Sequence, residues 1–369
     1  MRTFVAAPLL IAWLAQTAVA GPPVAADPQA ADHDPNGAAT PWLDLAPSRA
    51  LANNSAPGPT NHKLAAALTL GGIYVGFSTW TYFAWYRKHK PLGQYVWGYG
   101  DDGDGNADIF SAGGWLGARQ YSGGADKFGH AWATYGLARG GTELLSQWGG
   151  FDRFGSSLVA AGLSELLFLG VEIKDGFYYE FSFGDFTFNT LGAAFAVAMS
   201  NWPRLDELID YRVEYFPSAA YRRQISHDKP SDCLAGDPRR ECEFHSNLNI
   251  AEDYSGETYL LALHLGGIHT LRDSRYGGWT RFVDVALGFG TRGYKPEPPP
   301  GYDKYKESQH LFIGLSLNAQ GVFDWLLDGR SRPAKKILHG TFEMFNAPFG
   351  SLPVIERVNH PSAVKTGGA

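Results

Sequence analysis

Residues 156–173 read SSLVAAGLSELLFLGVEI, and this run decides the fold class of the first half of the chain. Apolar residues stand on every side of the helix that it would form, and such a helix is buried in a bundle or in lipid. A second run of this kind, FTFNTLGAAFAVAMSNW, follows at 186–202. Small residues in both runs let helix backbones approach closely. We therefore predict an apolar helical bundle at 61–205.

The bundle is predicted to contain four helices. The first, at 64–86, carries no charged residue and ends in aromatic residues followed by basic ones, as membrane-crossing helices do. A buried core helix is the equal alternative, because Gly and Thr dilute its hydrophobicity. The other three helices are expected at 127–148, 156–172 and 186–201.

After residue 215 the pattern changes to partial alternation with glycine interruptions, which is typical of strands. Three segments carry it: TYLLALHLGGIHTL at 258–271, TRFVDVALGFGTRGY at 280–294 and QHLFIGLSLNAQGVF at 309–323. We predict a mostly antiparallel β-rich region at 215–355 and a loose tail at 356–369. The expected fold class is α+β, an apolar helical bundle followed by an antiparallel β-rich region.

The N-terminus, MRTFVAAPLLIAWLAQTAVAG, has one Arg, a short apolar stretch and the sequence Ala18-Val19-Ala20 before Gly21. This pattern predicts a secretory signal peptide at 1–20, and an uncleaved anchor is the alternative. A disordered linker is expected at 21–60, which is rich in Ala, Pro, Asn and Asp. Export would place the protein in the periplasm or the cell-envelope membrane.

Composition agrees with an envelope protein. Charged residues make up 18% of the chain, against about 25% in typical soluble proteins. The net charge of −6, with no basic block, argues against nucleic acid as a partner. Membrane or other envelope components are the expected partners, and the sequence defines no protein partner. The only cysteines, Cys233 and Cys242, flank a turn-rich stretch. Export predicts a disulfide between them, with zinc binding as the alternative.

Polar residues recur at helical spacing inside the apolar bundle. Asp126 and His130 stand four apart at the start of the second helix, as do Asp185 and Asn189 at the start of the fourth. Residues four apart share one face of a helix. Because an ionised carboxylate is costly to bury unless it is paired, protonated or bound to metal, we predict that these residues meet.

The third helix supplies the remaining members of the predicted cluster, Glu172 and Asp175. The six candidate catalytic residues are Asp126, His130, Glu172, Asp175, Asp185 and Asn189. His130 would act as a general base or a metal ligand, and the carboxyl groups as acids or ligands. The alternative is local: Asp126 as a helix N-cap, and Ser182 with Asp185 as a capping box.

A separate acidic stretch, GDDGDGNADIF, alternates acidic residues with Gly as calcium loops do. The candidate ligands for a divalent metal are Asp102, Asp104, Asn106 and Asp108. The loop lacks the Glu of an EF-hand at its twelfth position, where Gly113 stands. A flexible acidic turn is the alternative. The chain has no G-x-S-x-G, H-E-x-x-H or P-loop motif, and the sequence identifies no other cofactor.

The runs GGADKFGH, VEIKDG and SFGDFTFNTLG, in this order, resemble the YfiM-like family of predicted periplasmic lipoproteins and, more distantly, the VanZ-like membrane proteins. These share a D-K-x-x-H start, an acidic residue on the next apolar helix and a D-x-x-x-N-x-x-G ending. Here the positions are Asp126, Lys127 and His130, then Glu172 and Asp175, then Asp185, Asn189 and Gly192. The resemblance covers about residues 60–200. The chain departs from the lipoproteins because no Cys follows the predicted cleavage site.

The resemblance implies an envelope location and no reaction, because the YfiM-like family has no established activity. Two hypotheses therefore stand at this point. In one, the chain is a structural or scaffolding envelope protein whose polar cluster fixes the helix packing. In the other, the cluster performs metal-assisted or acid/base hydrolysis of an envelope lipid- or glycan-linked substrate.

Overall fold

The computed structural model describes residues 62–86, 93–98, 114–222, 250–275, 277–294, 307–328 and 332–361. The first half is helical and the second half is built on one antiparallel sheet, so the predicted α+β class is confirmed. The predicted signal peptide at 1–20, the linker at 21–60, the acidic loop with Asp102 and the cysteine pair lie outside the described residues.

Among the described residues, the first half contains five α-helices: α1 (His62–Thr81), α2 (Ala125–Glu143), α3 (Arg153–Tyr178), α4 (Phe183–Asn201) and the short α5 (Pro203–Leu208). α1 and α2 each continue into one π-helical segment, Tyr82–Tyr86 and Leu144–Trp148. Two short strands, β1 (Trp97–Gly98) and β2 (Phe181–Ser182), pair in parallel just before α4. α1 and α3 are each long and apolar enough to cross a membrane. Core helices of soluble proteins can have the same length and composition.

Small residues bring α2, α3 and α4 together. Ala138 of α2, Ala161 of α3 and Ala196 of α4 lie in one buried cluster around Tyr135. A Cβ atom placed on Gly192 of α4 would lie 2.2 Å from the carbonyl oxygen of Ala131 on α2. The two backbones therefore meet at a distance that only glycine allows, and this close approach sets the positions of the polar residues on both helices.

The ends of the helices differ in part from the predicted ones. α3 continues to Tyr178, six residues beyond the predicted end, because Asp175 and Gly176 remain in the helix. The chain enters α2 through Gly123 and Gly124, whose φ angles of 60° and 84° favour glycine. Asp126 lies inside the first turn and the N-cap is Gly124, so the N-cap reading of Asp126 is wrong. Ser182 does cap α4, since its hydroxyl accepts a hydrogen bond from the Asp185 backbone N–H at 3.1 Å.

The second half is a five-stranded sheet in the order β3 to β7, with every neighbouring pair antiparallel. Its strands are β3 (Ile209–Tyr215), β4 (Glu257–His264), β5 (Val283–Arg292), β6 (Ser308–Leu317) and β7 (Ser351–Asn359). Two single-turn helices, α6 (His269–Arg272) and α7 (Gly277–Thr280), connect β4 to β5. α8 (Ala319–Leu326) and α9 (Arg332–Met344) connect β6 to β7.

The sequence pattern does not predict two of these strands, β3 and β7, or any of the four helices α6 to α9. β3 begins at Ile209, before the predicted start, and β7 extends to Asn359, so the tail prediction is wrong for 356–359. The predicted third strand ends earlier than expected, because the Asn318 side chain accepts a hydrogen bond from Gly321 N–H at 2.7 Å and starts α8. The predicted first strand likewise ends at His264.

A buried ionic network lies on one face of the sheet. Arg212 of β3 donates to Asp210 at 2.5 Å and to Asp284 of β5 at 2.8 Å. His264 of β4 lies between the same two carboxylates, at 3.0 and 2.9 Å. Asn318 donates to Asp284 at 2.8 Å. All of these side chains are buried. This face of the sheet therefore faces the protein interior and combines the ionic network with a small apolar cluster that contains Leu260.

The opposite face of the sheet receives the bundle at one corner only. Phe128 of α2 packs on Tyr259 of β4 and Phe289 of β5, at ring-centroid distances of 6.1 and 4.7 Å. Tyr211 of β3 donates a hydrogen bond to the Phe128 carbonyl at 2.8 Å. The first turns of α2, which carry most of the predicted site, are therefore fixed on the sheet as well as on α3 and α4.

Candidate functional site

Lys127 stands at the centre of the polar cluster. Its ammonium lies 2.9 Å from Asp126 Oδ2 on its own helix and 2.8 Å from Asp185 Oδ1 on α4. The Lys127 side chain is fully buried, and a Cβ atom on Gly184 would lie 2.8 Å from its Cε. Burial alone would raise the pKa of Asp126, but the Lys127 ammonium and the His130 ring hold that pKa well below its usual range. Asp126 and Lys127 thus form a charged, buried pair.

His130 lies one helical turn further along α2 and faces both neighbouring helices. Its Nδ1 is 3.2 Å from Asn189 Oδ1 and 3.6 Å from Glu172 Oε1. Its Nε2 is 3.7 Å from Asp185 Oδ1. The imidazole side chain is 21% exposed, the largest exposure in the ion-paired part of the cluster. His130 therefore connects the buried carboxyl groups with the surface.

Glu172 is the buried acid of the cluster. Its side chain is 1% exposed. Burial, together with the Asp185 and Asp175 carboxylates, raises the pKa of Glu172 well above its usual range. Its Oε1 has no hydrogen-bond partner within the described part of the chain. Its surroundings therefore favour the protonated, neutral form of Glu172, beside an imidazole.

Asn189 orients His130 from α4. The hydroxyl of Thr134, one turn after His130, donates to Asn189 Oδ1 at 2.9 Å. The same oxygen accepts from His130 Nδ1 when that nitrogen carries the proton. Nδ2 of Asn189 is buried and has no hydrogen-bond partner among the residues that the structure describes. Native structures leave few such atoms unsatisfied, and each calls for an explanation.

Asp175 lies at the edge of the cluster, close to the end of α3. Tyr86 donates a hydrogen bond to Asp175 Oδ1 at 2.6 Å, and the Lys174 ammonium stands 3.9 Å from the centre of the Tyr86 ring. Burial raises the pKa of Asp175 to about 6, against the lowering effect of Tyr86 and His130. Asp175 thus changes its charge near neutral pH.

We predict that Asp175 makes stability depend on pH. Because its pKa is higher in the folded state than the ordinary 3.8, the folded state holds this proton more tightly. The stability that this proton supplies is lost as the pH rises from about 4 through about 6. Asp175→Asn keeps an acceptor for Tyr86 and should be more stable than wild type at pH 7, by on the order of 2 kcal/mol, and equally stable at pH 4.

Denaturant unfolding of both proteins at pH 4 and pH 7 measures this difference. Asp273→Asn is the matched control, since Asp273 is exposed at 69% of its side chain, and it should give the same difference at both pH values. An Asp175→Asn difference that does not change with pH would contradict the prediction.

The cluster contains a set of potential metal ligands, because Asp126, His130 and Asp185 offer ligand atoms within 4.8 Å of one another. The Lys127 ammonium already lies between the two carboxylates, at 2.9 and 2.8 Å. A divalent ion would have to displace this charge. With Lys127 protonated, the arrangement therefore favours proton transfer over metal binding.

The structure brings all six predicted site residues to one region, where α2, α3 and α4 meet. Lys127 is not among the catalytic residues predicted from the sequence, although a lysine inside an apolar run indicates a buried partner. Tyr86 and Thr134 were also missed, since neither type of residue is unusual in a helix. Glu165 lies outside the cluster and accepts a hydrogen bond from Thr190 at 2.8 Å.

Residues 112–201 match the model of a family described as "Predicted periplasmic lipoprotein (DUF2279)". The match spans α2, α3 and α4 and every ion-paired residue of the cluster. It covers less than half of the chain, and the sheet lies outside it. The description agrees with the exported, periplasmic or envelope-membrane location predicted from the N-terminus. The narrower YfiM-like assignment and the VanZ-like resemblance stay predictions.

No curated protein matches the chain, and no solved structure matches it.

Proposed function

We propose that this chain is a cell-envelope protein whose helical bundle carries an acid–base centre, with His130 as the group that exchanges a proton with a bound molecule. The observation that carries the proposal is the His130–Glu172 pair. A partly exposed imidazole stands 3.6 Å from a buried carboxyl group, and burial raises the pKa of that carboxyl, which favours its neutral form. A carboxyl group whose pKa is raised by burial is typical of a general acid.

The unsatisfied atoms favour a functional centre over a purely structural one. A polar cluster that serves packing alone is most stable when every member is satisfied. Here Glu172 Oε1 and Asn189 Nδ2 have no hydrogen-bond partner in the described ranges, and both belong to residues that face His130. These atoms are available to a water or to a polar group of a bound molecule at the surface end of the cluster.

The chemistry that this arrangement supports is proton transfer during hydrolysis or group transfer. His130 would take a proton from an attacking water or hydroxyl group at its exposed edge, and protonated Glu172 would give its proton to the leaving group. The resulting imidazolium would then return a proton to the Glu172 carboxylate, 3.6 Å away. Asp126 and Lys127 would stay ionised as a pair, so that their charges would not change while the proton moves. General acid–base catalysis by such groups contributes about 10²- to 10⁴-fold to a rate. An envelope lipid- or glycan-linked substrate fits the predicted location.

A scaffolding function is the second candidate, and the Lys127 bridge favours it. The ammonium joins α2 to α4 through Asp185 inside a buried surrounding, where an ion pair with good geometry fixes one arrangement of the helices. In this case the cluster would hold the bundle together as a support for other envelope components.

Glu172→Gln separates the two functions. Glutamine has the shape of the neutral carboxylic acid but cannot give up a proton, so we expect an abundant, folded protein. For an acid–base centre, Glu172→Gln and His130→Gln should both fail to complement a deletion strain, with activity lowered by about 10²-fold or more. The measurements are the complementation phenotype, the envelope abundance and the melting temperature of each variant.

Glu165→Gln is the matched control, because it makes the same change on the same helix at a residue outside the cluster, and it should complement fully. Full complementation by well-folded Glu172→Gln and His130→Gln would exclude the acid–base function and leave the scaffold. A loss of phenotype that follows a loss of folded protein would also favour the scaffold.

A further inference from the structure

Beyond the corner that receives the bundle, the same face of the sheet is left uncovered by the described residues and is apolar across four strands. Its central row, in which each residue pairs with the next, is Leu261, Leu287, Ile313 and Ile355. These four side chains are 40–69% exposed. Since directly paired residues lie on the same face of a sheet, they form a continuous strip from β4 to β7.

A second apolar row runs beside the first. It consists of Leu263, Val285, Leu315 and Leu352, again in register. Leu317 follows on β6, with 44% of its surface exposed. On β6 the apolar positions from Leu311 to Leu317 cover about 20 Å, at about 3.4 Å per residue.

The two faces of this sheet do not have the polarity that is usual in a water-soluble protein. Ordinary antiparallel sheets place apolar residues on the core and polar ones in water. Here the buried face carries the Arg212 network with Asp210 and Asp284 beside a small apolar cluster around Leu260, and the exposed face carries Leu, Ile and Val. Apolar-out and polar-in alternation is what a sheet shows when its outer face meets lipid.

The residue types at the two ends of the exposed face differ from the apolar residues at its centre, as they do in proteins at the two borders of a lipid layer. Trp279 and Trp325, each more than half exposed, lie in the connections at the end where β5 begins and β6 ends. Arg357 lies at the opposite end of this face, exposed and paired with Leu311 next to the central row. Aromatic residues at one border and an arginine beyond the two apolar rows match the interface of a bilayer.

We propose that this uncovered sheet face lies against the hydrocarbon of a lipid bilayer. A second protein copy fits less well, because protein interfaces carry about one hydrogen bond per 100–200 Å², and the two rows contain no polar side chain. Among the internal parts of the chain outside the described residues, 223–249 is polar and 295–306 is polar and proline-rich in sequence, so neither matches an apolar face. The proposal is independent of the acid–base centre.

The proposal is tested with Leu287→Lys and Leu271→Lys in the full chain, added to vesicles of phosphatidylethanolamine and phosphatidylglycerol. The two leucines have similar exposure, 47% and 40%, but Leu287 lies in the central row and Leu271 lies beyond its aromatic end. A lysine opposes lipid contact most at the middle of the hydrocarbon and little at its border. Leu287→Lys should therefore lower the ratio of vesicle-bound to free protein by about 30-fold, and Leu271→Lys by less than about 5-fold.

A neutral variant provides a second measurement, because Leu287→Lys could fail to fold. In a Cys233→Ser, Cys242→Ser background, Leu287→Cys carries an environment-sensitive dye, which brominated acyl chains should quench. The proposal is overturned if Leu287→Lys binds vesicles as wild type does, if aqueous iodide quenches the vesicle-bound dye as strongly as the free one, or if Leu287→Lys only converts a dimer into monomers.

Discussion

Lys127→Met is expected to lower the free energy of unfolding by about 3–5 kcal/mol, the cost of leaving buried charges without their partner. The methionine fills most of the volume of the lysine stem between Gly184 and α2, so packing changes little. The loss is electrostatic, because Asp126 and Asp185 then face each other across a buried space with no ammonium between them. Both carboxyl groups would have to take up protons, and stability should fall further as the pH rises.

Chemical denaturation of wild type and Lys127→Met at pH 5 and pH 8 measures this effect. Lys174→Met is the matched control, because the Lys174 ammonium lies over the rings of Tyr82 and Tyr86, at 4.9 and 3.9 Å from their centres. A cation–π contact of this kind at the surface contributes about 0.5–1 kcal/mol. Equal losses in both variants would show that Lys127 is not the counter-charge of the cluster.

The bundle was predictable because its signals are local. Apolar runs reveal a buried helix without reference to the rest of the chain, and four-residue spacing alone places Asp126 beside His130 and Asp185 beside Asn189. That these pairs meet followed from the cost of burying several carboxylates separately. The contact between Lys127 and Asp185 was not predictable in the same way, because it joins residues on different helices.

The sheet was predictable only in its apolar central strands. β3 reads IDYRVEY, which looks like an exposed segment, because alternate residues are charged. Besides Asp210, the partners that accompany Arg212 in the interior lie far along the chain, among them Asp284 and Gln320. β7 contains Pro353, which is tolerated at the edge of a sheet where its missing N–H faces no partner strand. The alternation of both strands becomes clear only when their partners are known.

Gly192→Ala is expected to separate α2 from α4 and to remove the His130–Asn189 contact. The new methyl carbon would lie 2.2 Å from the Ala131 carbonyl oxygen and 2.9 Å from its carbonyl carbon, and a backbone cannot rotate away as a side chain does. Overpacking costs about 1–3 kcal/mol, and we expect the upper end of this range because the obstructing atoms are backbone. Ala131 follows His130 directly, so the shift moves the imidazole away from the oxygen that orients it.

Gly162→Ala is the matched control for this prediction. Gly162 stands in the middle of α3, and a Cβ atom there would meet nothing within 4 Å. The same substitution should therefore raise stability by about 0.5–1 kcal/mol, since alanine favours a helix interior over glycine. The denaturation midpoint reports stability, and the histidine NMR signals report the surroundings of His130. If Gly192→Ala is as stable as Gly162→Ala and leaves those signals unchanged, the contact between α2 and α4 does not position the site. If it is less stable and the His130 signal moves, the glycine on α4 holds the imidazole in place through the backbone of α2.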